Sequence, residues 1–265
     1  MAEAPSIICI LAIPRTGSTR VIALLSQLSG LRVRTEIFHP KRSFLLAAED
    51  LRLISAAAHH QFIAPDDPAL LHFMRTNPGL CLDSLVKDAT TERAPLVFKL
   101  FPGHISRHSL CSELFSRKDV RYIVIKRRPF DSYVSALKAK ELSTHNNKNT
   151  TALKVKVPIL DFVAWLNRSL KWYEFCANEI ARYEASSIEL LYERDINVDD
   201  HKCLETLQLA LRRFGISTEI ERPNSTFSSI KQDLTLHPRD KVSNWATFNA
   251  SLRLLRQHSR AFSYF

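Results

Sequence analysis

The tightest constraint on this chain lies at its start. The apolar, β-branched stretch Ser6 to Ile13 breaks into Pro14-Arg15-Thr16-Gly17-Ser18-Thr19, after which Val21, Ile22, Leu24, Leu25 and Leu28 recur at helical spacing. A continuous apolar run of this kind marks a strand buried on both faces. Strand, tight loop and helix in that order predict the opening βα unit of a parallel sheet, with the helix ending near Gly30 and a short strand at Leu31 to Arg34.

The same alternation continues. Further strands are predicted at Leu96 to Leu100, Arg121 to Ile125 and Ile188 to Tyr192. Between them, helices are expected over 44–62, in shorter pieces around 69–90, and over 109–117, 130–140, 159–182, 201–214 and 249–259. Pro129 is placed to start its helix and Gly215 to end another. Ser143 to Lys156 is polar and reads as a mobile loop, and 218–243 shows little periodicity. No repeat or linker interrupts the chain. The reading is an α/β fold, one domain over 1–265, with a central, mostly parallel sheet flanked by helices.

Composition narrows the setting. The 265 residues, 45% of them hydrophobic, suffice for a sizeable core, and 24% charged residues of mixed sign exclude general disorder. The five cysteines are odd in number, widely spaced and without a C-x-x-C pair, which argues against a disulfide framework or a metal site. With no stretch approaching a membrane span and no signal-peptide pattern, a cytoplasmic, reducing location is expected. A formal charge of +10 calls for an anionic partner. Lysines and arginines are spread over the chain with no basic stripe, so nucleic acid and membrane surface are the weaker choices.

Two motifs concentrate chemistry. A helix N-terminus behind the Pro14 to Thr19 loop offers free backbone N–H groups, two hydroxyls and the Arg15 charge, a set suited to phosphate. Gly17, one of only five glycines, is read as a point of close backbone approach to a ligand. Taken alone, the segment is equally an ordinary βα turn with Ser18 as N-cap. No Walker A string occurs. The second motif is Arg127-Arg128-Pro129-Phe130-Asp131, with Ser135 eight positions after Arg127. Arginines at the C-terminal end of a strand lie where open α/β sheets bind ligands, and a guanidinium with a hydroxyl suits a terminal phosphate.

Together the motifs resemble the sulfotransferases that use 3′-phosphoadenosine 5′-phosphosulfate (PAPS). Pro14 to Thr19 looks like the P-loop-like 5′-phosphosulfate loop of that family, and Ile123 to Ser135 like its 3′-phosphate motif. The likeness is greatest to the bacterial carbohydrate-type branch, with Thr35-Glu36-Ile37-Phe38 after the first helix and Phe98-Lys99-Leu100-Phe101 at the next strand. Lys241-Val242-Ser243-Asn244-Trp245 resembles the lysine-bearing loop that closes over the nucleotide.

The resemblance implies transfer of a sulfuryl group from PAPS to a hydroxyl or amine of a carbohydrate or small metabolite, without a metal. Arg15, Thr16, Gly17, Ser18 and Thr19 would hold the 5′-phosphosulfate, Arg127 and Ser135 the 3′-phosphate, and Lys241 and Trp245 would close the nucleotide site. Cytosolic relatives carry Lys at the Arg15 position. Arginine does not donate its proton usefully, so its help to the leaving group is electrostatic. Lys99 would approach the sulfuryl group, or else extends from a strand end into solvent. The general base is Glu36 or His104. Glu36 reads alternatively as a surface carboxylate paired with Arg34 or Lys41, and Trp245 as a core residue. Two other function classes stay open: a small-molecule or nucleotide kinase of related fold, and a non-catalytic polyanion binder.

Overall fold

The computed structural model describes residues 6–87, 94–142, 149–221, 235 and 237–265. Five parallel strands, β1 (Ile7–Leu11), β2 (Arg32–Val33), β3 (Leu96–Leu100), β4 (Val120–Lys126) and β5 (Ser187–Leu191), lie in the order β2-β3-β1-β4-β5. Burial follows position. All residues of β1 and β3 are buried, whereas β2 and β5, at the edges, are partly open. The apolar run that opens the chain is therefore the centre of the sheet, as parallel pairing with covered faces requires.

Side chains alternate across β1 with the period of two inherent to a strand. Ile7, Cys9 and Leu11 enter one core, Ile8 and Ile10 the other. The first core is covered by α2 (Ala48–Ala58), α3 (Pro68–Thr76), α4 (Pro78–Val86), α5 (Arg107–Leu110) and the middle of α7 (Ile159–Arg182). The second lies under α1 (Ser18–Leu25) and α8 (Asp200–Arg213). A third, aromatic cluster joins α6 (Pro129–Glu141) to the start of α7 and to α10 (Trp245–Leu254) and α11 (His258–Phe262), with the single-turn α9 (Pro238–Lys241) just before α10. Four of the five cysteines are buried thiols.

Several boundaries differ from those expected. The helix expected over 44–62 is only α2, because the Asp50 carboxylate accepts from the Ala47 N–H at 2.7 Å and caps its start, while His59 at φ 50° ends it. Helix α1 stops at Leu25, and Gly30 takes its positive φ of 70° in the following connection and not as the helix cap. The segment 109–117 is a short α-helix running into a π-helical turn, Cys111–Phe115. The terminal helix is two, broken where Arg256 adopts φ 55°. Within the expected loop 143–156, residues 143–148 lie outside the described residues, and Val155 bridges to Val242. Most of 218–243 also lies outside them.

The topology places the two sequence motifs side by side. After β1 the chain crosses to β2 on one side of the sheet, and after β4 it crosses to β5 on the other, although β1 and β4 are neighbours. Their C-terminal ends form the switch point where open α/β sheets leave a crevice.

Candidate functional site

At this switch point the Pro14 to Thr19 loop turns back sharply. Arg15 sits at φ 71° and Gly17, the N-cap of α1, at φ 88°. A left-handed arginine costs on the order of 1–3 kcal/mol and persists only where its surroundings over-determine it. Here they do: Arg127 Nη1 donates to the Arg15 carbonyl at 2.8 Å, and Arg15 Nε donates to Ser135 Oγ at 3.1 Å. The first motif is thus pinned by both ends of the second. Thr16 is buried and donates to the Ile13 carbonyl at 2.8 Å, closing the turn. Ser18 begins the helix as a buried residue and is not its cap. No acidic side chain occupies the first turn of α1, so its N–H groups keep their positive field.

Two partly buried guanidiniums close to each other are suited to receiving negative charge. Burial, and next the Arg127 charge, lower the Arg15 pKa. Arg127 lies over the Tyr192 ring, 4.1 Å from its centroid, and its buried Nε has no hydrogen-bond partner among the described residues. Glu193 approaches Arg127 at 3.9 Å and Arg128 at 3.3 Å.

Next to the loop, β3 delivers Lys99. Its side chain, only 3% exposed, donates to Thr19 Oγ1 at 3.0 Å and pairs with Glu36 Oε1 at 3.1 Å. Burial lowers the Lys99 pKa and the Glu36 carboxylate partly offsets that. The partner of Glu36 is therefore neither Arg34, which pairs with Asp50 at 2.5 Å, nor Lys41.

His104 completes the group, its Nε2 lying 3.6 Å from Glu36 Oε2. Burial, with His39, Lys99 and Arg75 adding to it, pushes the imidazole down to about 3. The ring is neutral at ordinary pH, so this approach is not an ion pair. Its Nδ1 faces the Phe101 N–H at 3.4 Å as acceptor, which leaves the proton on Nε2, toward Glu36. Arg75 holds the loop from outside, donating to the His104 carbonyl at 2.9 Å.

The remaining two expected site residues lie apart from this group. Lys241 is buried and ion-paired at 2.6 Å with Asp131, which also receives Arg128 at 2.9 Å. It braces the second motif from behind. Trp245 packs edge-on against Phe130, 5.8 Å between centroids, within the third core.

Gly17 is also closely approached by a side chain. A Cβ there would stand 2.5 Å from Tyr192 Cδ2 and 3.2 Å from Ile196 Cγ2, so the close approach is to the Tyr192 ring. Tyr192 and Glu193, on the π-helical turn Tyr192–Ile196 after β5, are site residues that the sequence reading passed over. Their only signal is an aromatic residue at the C-terminal end of the last strand.

The fold has a counterpart among solved structures. The sulfotransferase STF1 from Mycobacterium tuberculosis H37Rv superposes with a TM-score of 0.50 over 98% of this chain and 77% of its own, at 13% identity. The chain shares its fold with a sulfotransferase. No family model matches the sequence, and no curated protein matches it. Among the described residues no helix is long and apolar enough to cross a membrane, and no cluster of three or more His, Cys, Asp or Glu is placed to hold a metal ion.

Proposed function

We propose that the protein is a sulfotransferase that moves a sulfuryl group from PAPS to a hydroxyl or amine of a carbohydrate or small metabolite. One observation carries the reading: the Pro14 to Thr19 loop, the Arg127 to Ser135 motif and the Lys99–Glu36 pair, distant in sequence, are joined to one another by hydrogen bonds and an ion pair. The residues suit the nucleotide. Arg127 brings a guanidinium whose Nε has no hydrogen-bond partner among the described residues, with Glu193 3.9 Å away, and α1 brings an N-terminus free of acidic residues.

PAPS supplies the sulfuryl group and, as leaving group, a phosphate oxygen. Arg15 and the first N–H groups of α1 offset charge on that oxygen by fixed dipoles and full charge, with no proton transferred. Glu36 takes the proton of the acceptor hydroxyl. Its pairing with Lys99 holds it beside Thr19 of the phosphate loop. His104 suits the base role less, because its neutral ring already spends Nδ1 on the Phe101 N–H and presents a proton toward Glu36. It is a positioning residue that orients the carboxylate.

Calorimetry with adenosine 3′,5′-bisphosphate tests the site first. Micromolar binding is expected, weakened roughly tenfold or more in Arg127→Ala, the range for loss of a charged hydrogen bond. Unaltered binding in that variant refutes the site. Labelled PAPS with an acceptor panel then tests the reaction, and product formation that stops on chelation would point to metal-dependent phosphoryl transfer instead.

A further inference from the structure

A second hollow opens at the same end of the sheet, between the loop after β3 and helix α7. It measures about 250 Å³, and its lining includes Gly103, Arg107, Arg168, Lys171 and Trp172. Every polar side chain of that lining is a donor only: two guanidiniums, an ammonium and an indole N–H. The other lining residues are Pro, Gly, Ile and Leu, so among the described residues the lining has no acceptor side chain and no negatively charged one.

Three cations in one small concavity repel each other, and within the described residues Arg168 and Lys171 have no carboxylate partner. They lie three apart on α7 and so share a face. Arg107 rests on the Phe175 ring, 4.9 Å from its centroid. Independently, Trp172 is 4% exposed and its buried Nε1–H has no hydrogen-bond partner among the described residues. Buried donors are ordinarily satisfied, and one that is not asks for a missing acceptor.

We infer that this hollow binds an oxyanion group, a sulfate, phosphate or carboxylate, carried by the molecule that receives the sulfuryl group. The term acceptor rests on the sulfuryl-transfer reading, whereas the anion site stands on the lining alone. At about 250 Å³ the hollow is smaller than the roughly 300–1,000 Å³ of pockets that enclose whole ligands, so it holds one end of a larger molecule. Gly103 and Ile105 line it while His104, between them, faces Glu36. An anion held here sets the rest of its molecule beside the carboxylate that would deprotonate it.

The Trp172 indole N–H gives a direct readout by nitrogen–proton NMR on the full chain. Its signal, one of three from tryptophan, is identified by its absence in Trp172→Phe or, if that variant does not fold, by removing Trp165 and Trp245 in turn. The probes are sodium sulfate, glucose 6-sulfate and glucuronate, with glucose as the neutral control at matched ionic strength. The charged probes are expected to shift the signal saturably and glucose to leave it in place, with glucose 6-sulfate binding at least as tightly as free sulfate.

The Arg168→Ala/Lys171→Ala double variant, altered only at exposed positions, should weaken the charged probes about tenfold or more and leave adenosine 3′,5′-bisphosphate binding unchanged. Absence of a saturable shift, or equal affinity in the double variant, overturns the anion site. Exclusion of the sugar sulfate while free sulfate binds overturns the acceptor assignment, as does competition between sulfate and the bisphosphate. Sulfate binding in a protein with no affinity for the bisphosphate at all refutes the donor reading instead, and leaves the anion site standing.

Discussion

Replacing Gly17 with alanine adds one methyl group at the most constrained point of the site. Two costs are expected. The backbone is held at φ 88°, where a Cβ costs about 1–2 kcal/mol. The new Cβ would also stand 2.5 and 2.7 Å from two ring carbons of Tyr192, well inside contact distance, and relieving such overpacking typically costs about 1–3 kcal/mol. Gly17→Ala should therefore lose about 2–5 kcal/mol, assuming that the two costs add. A double-mutant cycle separates them. In a Tyr192→Ala background the ring is gone, and only the backbone cost of about 1–2 kcal/mol should remain. Urea unfolding followed in parallel by tryptophan fluorescence and circular dichroism measures each corner, the two probes serving as the check on two-state behaviour. Equal losses in both backgrounds would refute the contact with Tyr192. A loss below about 0.5 kcal/mol in the wild-type background would refute both parts of the reasoning.

Glu36→Gln keeps the shape of the proposed base and removes its proton affinity, so turnover should fall by about 10²–10⁴ while bisphosphate affinity holds, read by initial rates beside calorimetry. His104 is expected to unfold with a defined pH dependence. Its folded pKa is depressed to about 3 from 6.5, so protons bind the unfolded chain more readily between those values, and stability present above pH 6.5 is lost as pH falls. The slope attributable to this group reaches about 1.4 kcal/mol per pH unit, and His104→Gln should flatten the stability profile by that amount below pH 6.5. Lys241→Met removes one of the two cations paired with the buried Asp131 carboxylate, Arg128 being the other, and should cost about 1.5–3 kcal/mol in denaturant unfolding, the range for a hydrogen bond to a charged group.

How far the site could be read from the chain depended on the range of the interactions. The Pro14 to Thr19 loop was legible because strand, turn and helix N-terminus are local, and the apolar run that starts it survives as the central strand. Helix ends were less so. Those of α2 and of the paired terminal helices depend on single backbone conformations, at His59 and Arg256, that no periodicity encodes. The partner of Glu36 could not be chosen from neighbours in sequence, because Lys99 reaches it only through the pairing of β3 beside β2.

The residues by themselves determined that the chain alternates strand and helix, that its opening run is buried on both faces, and that cations gather after β1 and β4. These follow from hydrophobic period and from turn chemistry, which act over a few residues. Tertiary structure alone decided that the two cationic loops meet, since strand order is set by crossovers tens of residues long. It alone turned Gly17 toward Tyr192, gave Lys241 to Asp131, and left His104 neutral with its proton toward Glu36. Those outcomes depend on which groups share a low-dielectric space, and only the packed sheet brings them into it.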